Sequence, residues 1–565
     1  MAVITLQMSR SVGVVKVVSL VGLLSAAVAG GLQPQAAVGV GPHQVARSAS
    51  GVVVAAHPLA TWAGARILQQ GGNAADAAVA AGFAVSVVRP SMNSIGGRNQ
   101  ILLRTSDGEI FGIDGTTQVP EGYDPETAPR ASYGYATIGV PGALAGLMRL
   151  HREHGSLPLD TVMAPAIEYA EQGFRLLPGQ ALFHAMSASQ IAESEGARIY
   201  YLKPDSTPFR ASELLRQPDL ARTLRRIAAG GADVFYRGEI AQAIAADMEA
   251  NGGFVTLQSL ADYRAEDARI VRGSYRGYEL IGMDVPSTGA LAIQSLQILE
   301  NFDRAEHSAE EWAVLKGQAI ALSVAEFLQL GTDTAAIRAT SKEWATRQAE
   351  KIGLAESGSS LEEPRAGFIH IHDQGYTTHL SVADSSGMVV SFTQTNGPAM
   401  GSKVVTPGLG FLYATTLGGY LGGQMLPGTR ARSFITPFLV LKEGEPVLVL
   451  GAAGGMRILS AVVQVVSRVV DDAMNMAEAL AAPRIHPIMD STFALTGLAM
   501  ETVPGRGWTE QQVSIVEQMG FAVTATTRPG SFGRVHGIRR DLVTGVWIGV
   551  ADPGGEGSAV GIGRN

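Results

Sequence analysis

Two runs rich in β-branched residues, at 377–384 and 388–395, flank a Ser-Ser-Gly turn. This segment constrains the fold most strongly. Such runs around a short turn predict the two strands of a β-hairpin. A two-residue loop would place Thr377 opposite Gln394, whereas a three-residue loop would place it opposite Thr395. Either register brings two threonine hydroxyls to the same end of the hairpin.

This pair of threonines has a possible chemical use. A neutral threonine hydroxyl is a poor nucleophile and needs a base within hydrogen-bond reach. Cleavage between Tyr376 and Thr377 would supply a base in the form of the new α-amine, whose reference pKa is about 8. The alternative is that both threonines are ordinary strand residues.

A glycine pair further along the chain is a candidate for the second part of such a site, the stabilisation of an oxyanion. Gly454 and Gly455 separate a predicted strand at 446–450 from a predicted helix at 456–470. Glycines at such a junction let backbone N–H groups approach a ligand, and a helix start leaves N–H groups unpaired. Both glycines are therefore candidate oxyanion-hole donors. A glycine-rich turn that only permits close helix packing is the alternative.

These features, together with motifs spread along most of the chain, resemble the γ-glutamyltranspeptidases, also called glutathione hydrolases. Members of this family are self-processing N-terminal-nucleophile hydrolases. The matching motifs lie at 71–80, 94–97, 140–142, 164–167, 173–174, 231–238, 275–278, 377–379, 454–455 and 482–486.

The resemblance implies an α+β fold, a four-layer αββα sandwich that is autoprocessed into two subunits. It identifies Thr377 as the nucleophile exposed by cleavage after Tyr376. Thr395 corresponds to the threonine that hydrogen-bonds it, and Gly454 and Gly455 correspond to the oxyanion pair. The implied organisation is a signal peptide at 1–29, a large subunit at 30–376 and a small catalytic subunit at 377–565, which stay associated as a heterodimer.

The departures from the family cluster where its members hold the glutamyl group. Thr116 stands where the family usually has an arginine that pairs with the α-carboxylate. Gly397 replaces an asparagine, although Asn396 beside it remains a candidate substrate contact. The loop at 415–419 lacks the usual acidic residue, and only Ser433 is left of a serine pair. A site without both charge clamps is not expected to favour a zwitterionic γ-glutamyl donor.

Arg98 is the candidate replacement for the lost arginine. It directly follows the Gly-Gly turn of the 94–97 motif, where the family usually has a small residue. A guanidinium there would bind a substrate carboxylate from another direction. Alternatively, Arg98 only pairs with a structural acid or points to solvent. The segment at 420–432 is short where relatives carry a lid, which predicts an open cleft. The alternative is sequence drift in a weakly active enzyme.

The charge and cysteine content of the chain limit the classes of partner and cofactor that we expect. The 43 basic and 51 acidic residues give a diffuse net charge of −8, which argues against nucleic acid or an anionic membrane as the main partner. The chain has no cysteine, so thiol nucleophiles and cysteine-ligated metals are excluded. We expect a small-molecule amide or peptide substrate and neither a metal nor another cofactor.

The N-terminus resembles a secretory signal. Arg10 and Lys16 precede an apolar run at 17–29 that ends in Ala-Val-Ala. This pattern predicts export to the periplasm or secretion, with a mature chain that starts near Gly30 and no stable membrane span. An uncleaved anchor is the alternative.

Secondary-structure signals elsewhere are mainly helical. Helices are predicted at 59–70, 73–88 and 143–154, with a further pair across 219–251 that is interrupted at Gly230 and Gly231. Another pair is expected within 308–357. A polar loop at 356–365 follows, ahead of the cleavage point.

The sequence leaves two classes of function open. The first is an exported threonine-nucleophile amidohydrolase or acyltransferase that acts through an acyl-enzyme, and the second is a noncatalytic relative that binds a ligand. Retention of Thr377, Thr395 and both glycines favours the enzyme. Within that class, conventional γ-glutamyl transfer with rearranged donor contacts competes with cleavage of a differently shaped amide.

Overall fold

Two antiparallel sheets carry most of the residues singled out above. The computed structural model describes residues 40–330, 340–354, 376–419, 425–490, 495–527 and 531–563, without the side chains of 326–330. The predicted signal peptide, the polar loop at 356–365 and part of the short 420–432 segment lie outside the described residues. Among the described residues, none of the helices combines the length and apolar character that a membrane crossing needs.

The strands are β1 Val45–Ser48, β2 Gly51–Ala55, β3 Arg98–Arg104, β4 Ile110–Gly115, β5 Phe174–Arg175, β6 Leu214–Leu215, β7 Glu266–Asp267, β8 Ile270–Tyr275, β9 Tyr278–Met283, β10 Tyr376–Asp384, β11 Val389–Gly397, β12 Phe438–Lys442, β13 Glu445–Ala453, β14 Ile485–Met489, β15 Leu495–Glu501, β16 Ala522–Thr526, β17 Arg534–Arg540, β18 Trp547–Ala551 and β19 Ser558–Gly561.

The α-helices are α1 Pro58–Gln69, α2 Ala74–Val88, α3 Ala143–His154, α4 Leu159–Gln172, α5 Pro178–Ala192, α6 Glu195–Tyr201, α7 Pro218–Tyr236, α8 Glu239–Ala250, α9 Leu257–Asp262, α10 Gly289–Leu299, α11 Ala309–Leu330, α12 Lys342–Ala349, α13 Arg457–Val470, α14 Met476–Ala481 and α15 Glu510–Gln518.

The layers follow from which face of each sheet is apolar. Sheet I has the strand order β1-β18-β17-β13-β12-β9-β8, and sheet II has the order β19-β2-β10-β11-β3-β4-β7. Successive side chains of a strand point to opposite faces. Along β2, Val52 and Val54 therefore pack between the two sheets, whereas Val53 and Ala55 face the helices outside sheet II. The helices α10 to α14 cover the outer face of sheet I. The result is the expected four-layer αββα sandwich.

The central hairpin of sheet II is β10 and β11. Its register pairs Thr377 with Thr395 and Ala383 with Val389, which is the three-residue-loop alternative. Gly387 has a φ of +88°, a left-handed conformation that glycine adopts without strain. The two threonines are consequently direct cross-strand neighbours.

Helix α2 holds the hairpin in place from outside. Every residue of this alanine-rich helix is buried, and small side chains let it lie close to the sheet. Asn73 and Asp76 form a capping box at its start, and Asp76 also accepts hydrogen bonds from Ser156. Asp384, at the end of β10, accepts from the first N–H of the helix at 2.8 Å.

The helices predicted from the sequence are present, with shifted ends or added breaks. The predictions at 59–70, 73–88 and 143–154 correspond to α1, α2 and α3. The expected break near Gly231 exists as a kink with a φ of +68°, and α7 continues to Tyr236 before Gly238 separates it from α8. The pair expected within 308–357 corresponds to α11 and α12.

Candidate active site

The end of the hairpin brings Tyr376, Thr377 and Thr395 together. Thr377 Oγ1 donates to Thr395 Oγ1 at 3.3 Å, and both side chains are buried. Thr395 Oγ1 in turn donates to the Tyr376 carbonyl at 2.6 Å and accepts from the Gly397 N–H at 2.9 Å. One hydroxyl thus contacts both the candidate nucleophile and the carbonyl of the peptide bond that precedes it.

A β-bulge shapes this end of the hairpin. Thr377 pairs with Thr395, yet Tyr376 pairs with Gly397, which leaves Asn396 as the additional residue of β11. Gly397 has a φ of +88°, which favours glycine. Bulges next to active sites bend a strand and redirect its groups. This bulge brings the Tyr376 carbonyl to the Thr395 hydroxyl.

Four of the predicted site residues form a row across sheet II. Thr377 lies opposite Thr395, and Thr395 lies opposite Arg98 on β3. The register of β3 with β4 pairs Asn99 with Gly115, so its continuation places Arg98 opposite Thr116. Residues at paired positions share a face of the sheet. Along this row, Arg98 therefore stands between the two threonines of the hairpin and Thr116.

Arg98 and Thr116, the two members of this row outside the hairpin, are tied into the protein. Arg98 is buried, and its Nη1 donates to the Thr415 carbonyl at 3.2 Å. The hydroxyl of Thr116 donates to Asp114 at 2.5 Å. Burial raises the pKa of Asp114, while the charge of Arg430 opposes that shift.

Arg430 is a charged neighbour of this region that sequence reasoning missed. It forms ion pairs with Asp114 at 3.9 Å and with Glu266 at 3.0 Å. It also donates to the hydroxyl of Tyr263 at 2.9 Å, and Tyr263 donates to the Thr116 carbonyl at 2.5 Å. No local sequence pattern links Arg430 to Thr116, because more than 300 residues separate them.

Asn396 and Ser433 have structural contacts. The Asn396 side chain accepts from Ser94 at 3.0 Å, and its backbone N–H donates to the Met92 carbonyl at 2.9 Å. Its own carbonyl accepts from the N–H of Thr415 at 2.9 Å, which docks the carboxylate-free loop at 415–419 beside the hairpin. Ser433 is half-buried, and its N–H donates to Pro286.

Strand β13 of sheet I leads to the glycine pair. Ser381 donates to the Val449 carbonyl at 3.3 Å, and a side chain on Gly451 would overlap with the ring of His379. Moving from Ser381 to His379 along β10 thus corresponds to moving from Val449 to Gly451 along β13, so the two strands run in opposite directions. Strand β13 continues past Gly451 to Ala453, immediately before Gly454.

The glycine pair then connects β13 to helix α13. Gly454 and Gly455 have φ values of +149° and +60°, which glycine adopts far more readily than other residues. Their carbonyls accept from the N–H groups of Arg457 and Ile458 and so begin the helix. Gly454 and Gly455 remain candidate oxyanion donors at this junction between β13 and α13.

His379 has a packing role in this arrangement. Its ring is fully buried, with Nδ1 2.7 Å from the Thr393 hydroxyl and Nε2 3.0 Å from the Ser381 hydroxyl. Burial, followed by the nearby His536, lowers its pKa well below the usual value. The neutral ring fills the space that Gly451 leaves between the sheets.

A further neighbour of the candidate cleavage point has no signal in the sequence. Phe183 of α5 packs edge-on against Tyr376, with ring centroids 4.9 Å apart and an interplanar angle of 82°. Met92 and Ala399 complete the apolar surface around Tyr376. The three residues come from distant parts of the chain, so only the folded structure reveals their proximity.

A four-layer sandwich with paired threonines at the end of a central hairpin defines an N-terminal-nucleophile amide hydrolase or transferase. The sequence model of the family described as Gamma-glutamyltranspeptidase matches residues 60–562. The chain belongs to this family.

The individual relatives fall into more than one activity group. The glutathione hydrolase proenzyme of Escherichia coli (strain K12) is 31% identical over 527 residues, which cover 87% of this chain and 90% of the relative. The Acylase ACY 1 proenzyme of Pseudomonas sp. (strain SE83) is 34% identical over 468 residues, which cover 78% and 83%. The crystal structure of cephalosporin acylase from Bacillus halodurans matches with a TM-score of 0.84 at 27% identity, covering 95% of this chain and 99% of that one. The proenzyme names are consistent with self-processing.

Proposed function

We propose that this protein cleaves itself between Tyr376 and Thr377 and then acts as an amidohydrolase or acyltransferase with Thr377 as its nucleophile. The observation that carries the proposal is the position of the Thr395 hydroxyl. It lies 3.3 Å from the Thr377 hydroxyl and donates to the Tyr376 carbonyl at 2.6 Å. A donor aimed at the carbonyl stabilises the negative charge that develops there during attack.

Self-cleavage needs only groups of this chain and one water. The Thr377 hydroxyl oxygen bonds to the Tyr376 carbonyl carbon, the C–N bond breaks, and the hydroxyl proton ends on the departing nitrogen. The product is an ester with a free Thr377 amine. Water then hydrolyses the ester, which leaves a carboxylate on Tyr376 and restores the Thr377 hydroxyl.

The same atoms then serve an external amide. The Thr377 amine accepts the hydroxyl proton as the oxygen attacks the substrate carbonyl, and that proton passes to the leaving amine. The N–H groups of Gly454 and Gly455 stabilise the oxyanion in this step. Water or an acceptor amine releases the acyl group from Thr377. No cofactor takes part.

The acyl donor is proposed to differ from a conventional γ-glutamyl group. Thr116, at the position of the usual arginine, uses its hydroxyl on Asp114. The loop at 415–419 has no carboxylate to hold an α-amine, and its Thr415 is bound to Asn396 and Arg98. The relatives named acylases support a donor of another shape.

The first prediction tests self-cleavage directly. Denaturing mass spectrometry of the purified protein should show two fragments separated between residues 376 and 377. Thr377→Ala should remain a single chain, because it lacks the attacking hydroxyl, whereas Thr377→Ser should still be cleaved. An intact wild-type chain that hydrolyses amides would show that the N-terminal nucleophile assignment is wrong.

The second prediction tests the donor. Each lost charge-assisted contact is typically worth about 1.5–3 kcal/mol. We therefore expect kcat/KM for γ-glutamyl-p-nitroanilide to be lower by about two orders of magnitude or more than in a relative that keeps both clamps. A kcat/KM equal to that of such a relative would contradict this and would favour conventional γ-glutamyl transfer with rearranged contacts.

Export is proposed from the N-terminal sequence. Arg10, Lys16 and the apolar run at 17–29 fit a cleaved secretory signal. N-terminal sequencing of the large fragment from expressing cells should begin near Gly30, and fractionation should find the activity outside the cytoplasm. A large fragment that retains residues 1–29 would contradict signal cleavage.

A further inference from the structure

The side chain of Tyr376 occupies an apolar pocket next to the cleavage point. We define the Tyr376 pocket by the side chains of Met92, Phe183 and Ala399. Met92 is fully buried, and Phe183 and Ala399 are each more than nine-tenths buried. The edge-on contact between Phe183 and Tyr376 is a favourable aromatic geometry. The uncut chain therefore holds residue 376 at its carbonyl, through Thr395, and at its ring.

The walls of the Tyr376 pocket do not depend on the peptide bond that is cut. Met92 is fixed by its N–H, which donates to Arg89, and by its carbonyl, which accepts from Asn396. Ala399 precedes Met400, whose N–H donates to the carbonyl of Ser91 at 2.9 Å.

Helix α5, which carries Phe183, is anchored by its first turn. The Gly179 N–H donates to Glu556 at 2.6 Å, and Gln180 accepts from the hydroxyl of Ser91 at 2.7 Å. The first of these contacts joins segments on both sides of the 376–377 bond, and the second lies within the large fragment. The pocket walls thus persist after cleavage, when Tyr376 becomes a free carboxyl end.

The pocket has a defined place in the chemistry. During self-cleavage the acyl group on the Thr377 oxygen is that of Tyr376, so the side chain on the acyl side lies in the Tyr376 pocket. During turnover the same oxygen carries the acyl group of the substrate. A substrate acyl group attached at that oxygen meets the same walls once Tyr376 has left them.

We propose that the Tyr376 pocket is the acyl side-chain subsite of the mature enzyme and that it selects amides whose acyl group ends in an aromatic ring. This inference rests on the proposed function, because it needs an acyl-enzyme on Thr377. An aromatic ring restores the edge-on contact with Phe183 and buries the apolar surface of Met92 and Ala399. A small acyl group such as acetyl leaves that surface uncovered.

The test compares two neutral anilides on the self-cleaved wild-type protein. We expect kcat/KM for 3-phenylpropionyl-p-nitroanilide to exceed that for acetyl-p-nitroanilide by at least about tenfold, the scale on which a hydrophobic pocket discriminates. Phe183→Ala should reduce this ratio to about threefold or less by losing activity on the aromatic substrate alone. Leu182→Ala is the matched control, because Leu182 lies next to Phe183 on α5 and is 44% exposed.

Variants at two further positions guard against a Phe183→Ala protein that does not fold. Ala399→Leu fills the pocket and should lower turnover of the aromatic anilide without lowering that of the acetyl anilide. In the precursor, Tyr376→Ala should slow self-cleavage, whereas Tyr376→Phe, which keeps the ring, should be cleaved within about threefold of the wild-type rate.

The outcomes separate this inference from the proposed function. If wild-type protein remains uncut, the proposed function fails and the subsite fails with it. If wild-type protein is cut but hydrolyses both anilides equally, or neither, the nucleophile stands and the aromatic subsite is wrong. Equal losses on both anilides in Phe183→Ala would likewise assign Phe183 a structural role only.

Discussion

At the scale of single residues, the Thr395 hydroxyl connects the proposed nucleophile, Thr377, with the carbonyl of the peptide bond that we propose it attacks. Thr395→Val keeps the shape and removes the hydroxyl, so the Tyr376 carbonyl loses its donor. We expect self-cleavage, followed by denaturing electrophoresis over time, to slow by about a hundredfold, as for the loss of one oxyanion donor. Thr395→Ser retains the hydroxyl and should be cleaved at close to the wild-type rate. Unchanged cleavage in Thr395→Val would remove Thr395 from the mechanism.

Arg98 is proposed to supply the positive charge that Thr116 does not. It lies one strand nearer to the nucleophile than Thr116, a displacement of about 4.8 Å. Arg98→Ala should therefore lower kcat/KM on a substrate whose acyl group carries a carboxylate by about tenfold or more, with little effect on its uncharged analogue. Arg98→Lys should recover only part of this loss, because an ammonium cannot form the bidentate contact.

The control for Arg98 is self-cleavage, because the guanidinium also supports the Thr415 carbonyl. Intact cleavage with a selective loss on the acidic substrate supports the anchor. Equal losses on both substrates would show that Arg98 only joins β3 to the loop at 415–419.

Contacts between residues of one hairpin were predictable from the sequence, whereas contacts between distant segments of the chain were not. Thr377 and Thr395 belong to one hairpin, so their pairing followed from turn length alone, and the three-residue alternative is the one observed. The contact of Arg430 with Asp114 and that of Phe183 with Tyr376 join distant segments. No periodicity or turn rule specifies such contacts, because they arise from the packing of layers.

At the scale of elements, the close approach of β10 and β13 depends on Gly451. A Cβ at this position would overlap with the His379 ring, which is held by hydroxyls on both sides. Gly451→Ala should lower the free energy of unfolding by about 1–3 kcal/mol, as is typical for an overpacked core, and should slow self-cleavage. Gly122→Ala is the control, because a Cβ there meets nothing within 4 Å. Equal urea midpoints for the two variants would contradict this role of Gly451.

Helices and strands with strong local signals were predictable, but their partners were not. The helix predicted at 73–88 is observed as α2, which begins with a capping box of Asn73 and Asp76. In the folded protein, Asp76 also accepts a hydrogen bond from Ser156, and Asp384 accepts one from the first N–H of α2. These bonds connect elements that are far apart in the chain, so local propensity carries no information about them.

At the scale of the whole molecule, both sheets combine strands from the two proposed fragments. In sheet II, β10 pairs with β2 and β11 pairs with β3, so the small fragment is inserted between strands of the large one. In sheet I, β12 pairs with β9 and β1 pairs with β18. Self-cleaved protein should therefore elute as one species in native gel filtration and separate only in denaturant. Separation in native buffer would contradict this assembly.

Acid stability is also a property of the whole molecule, because buried histidines lie in both halves of the sandwich. Burial is the main cause that lowers the pKa of these histidines, to about 4 in His184 and to about 3 in His57 and His536. The unfolded chain binds these protons near pH 6.5, whereas the folded chain does not. The free energy of unfolding should therefore fall as the pH falls from about 6.5 towards 4, by up to about 1.4 kcal/mol per pH unit for each histidine.

Urea midpoints at pH 7.5, 6.5, 5.5 and 5.0 measure this effect before most carboxylates, with reference pKa values near 4, take up protons. His184→Phe removes one titrating group from a fully buried site beside the Tyr201 ring. The free energy of unfolding of the His184→Phe variant should depend less steeply on pH than that of the wild-type protein. The difference in slope should equal the contribution of one proton, whatever the substitution does to stability at pH 7.5. A wild-type midpoint that stays constant from pH 6.5 to 5.0 would show that the buried histidines do not control acid unfolding.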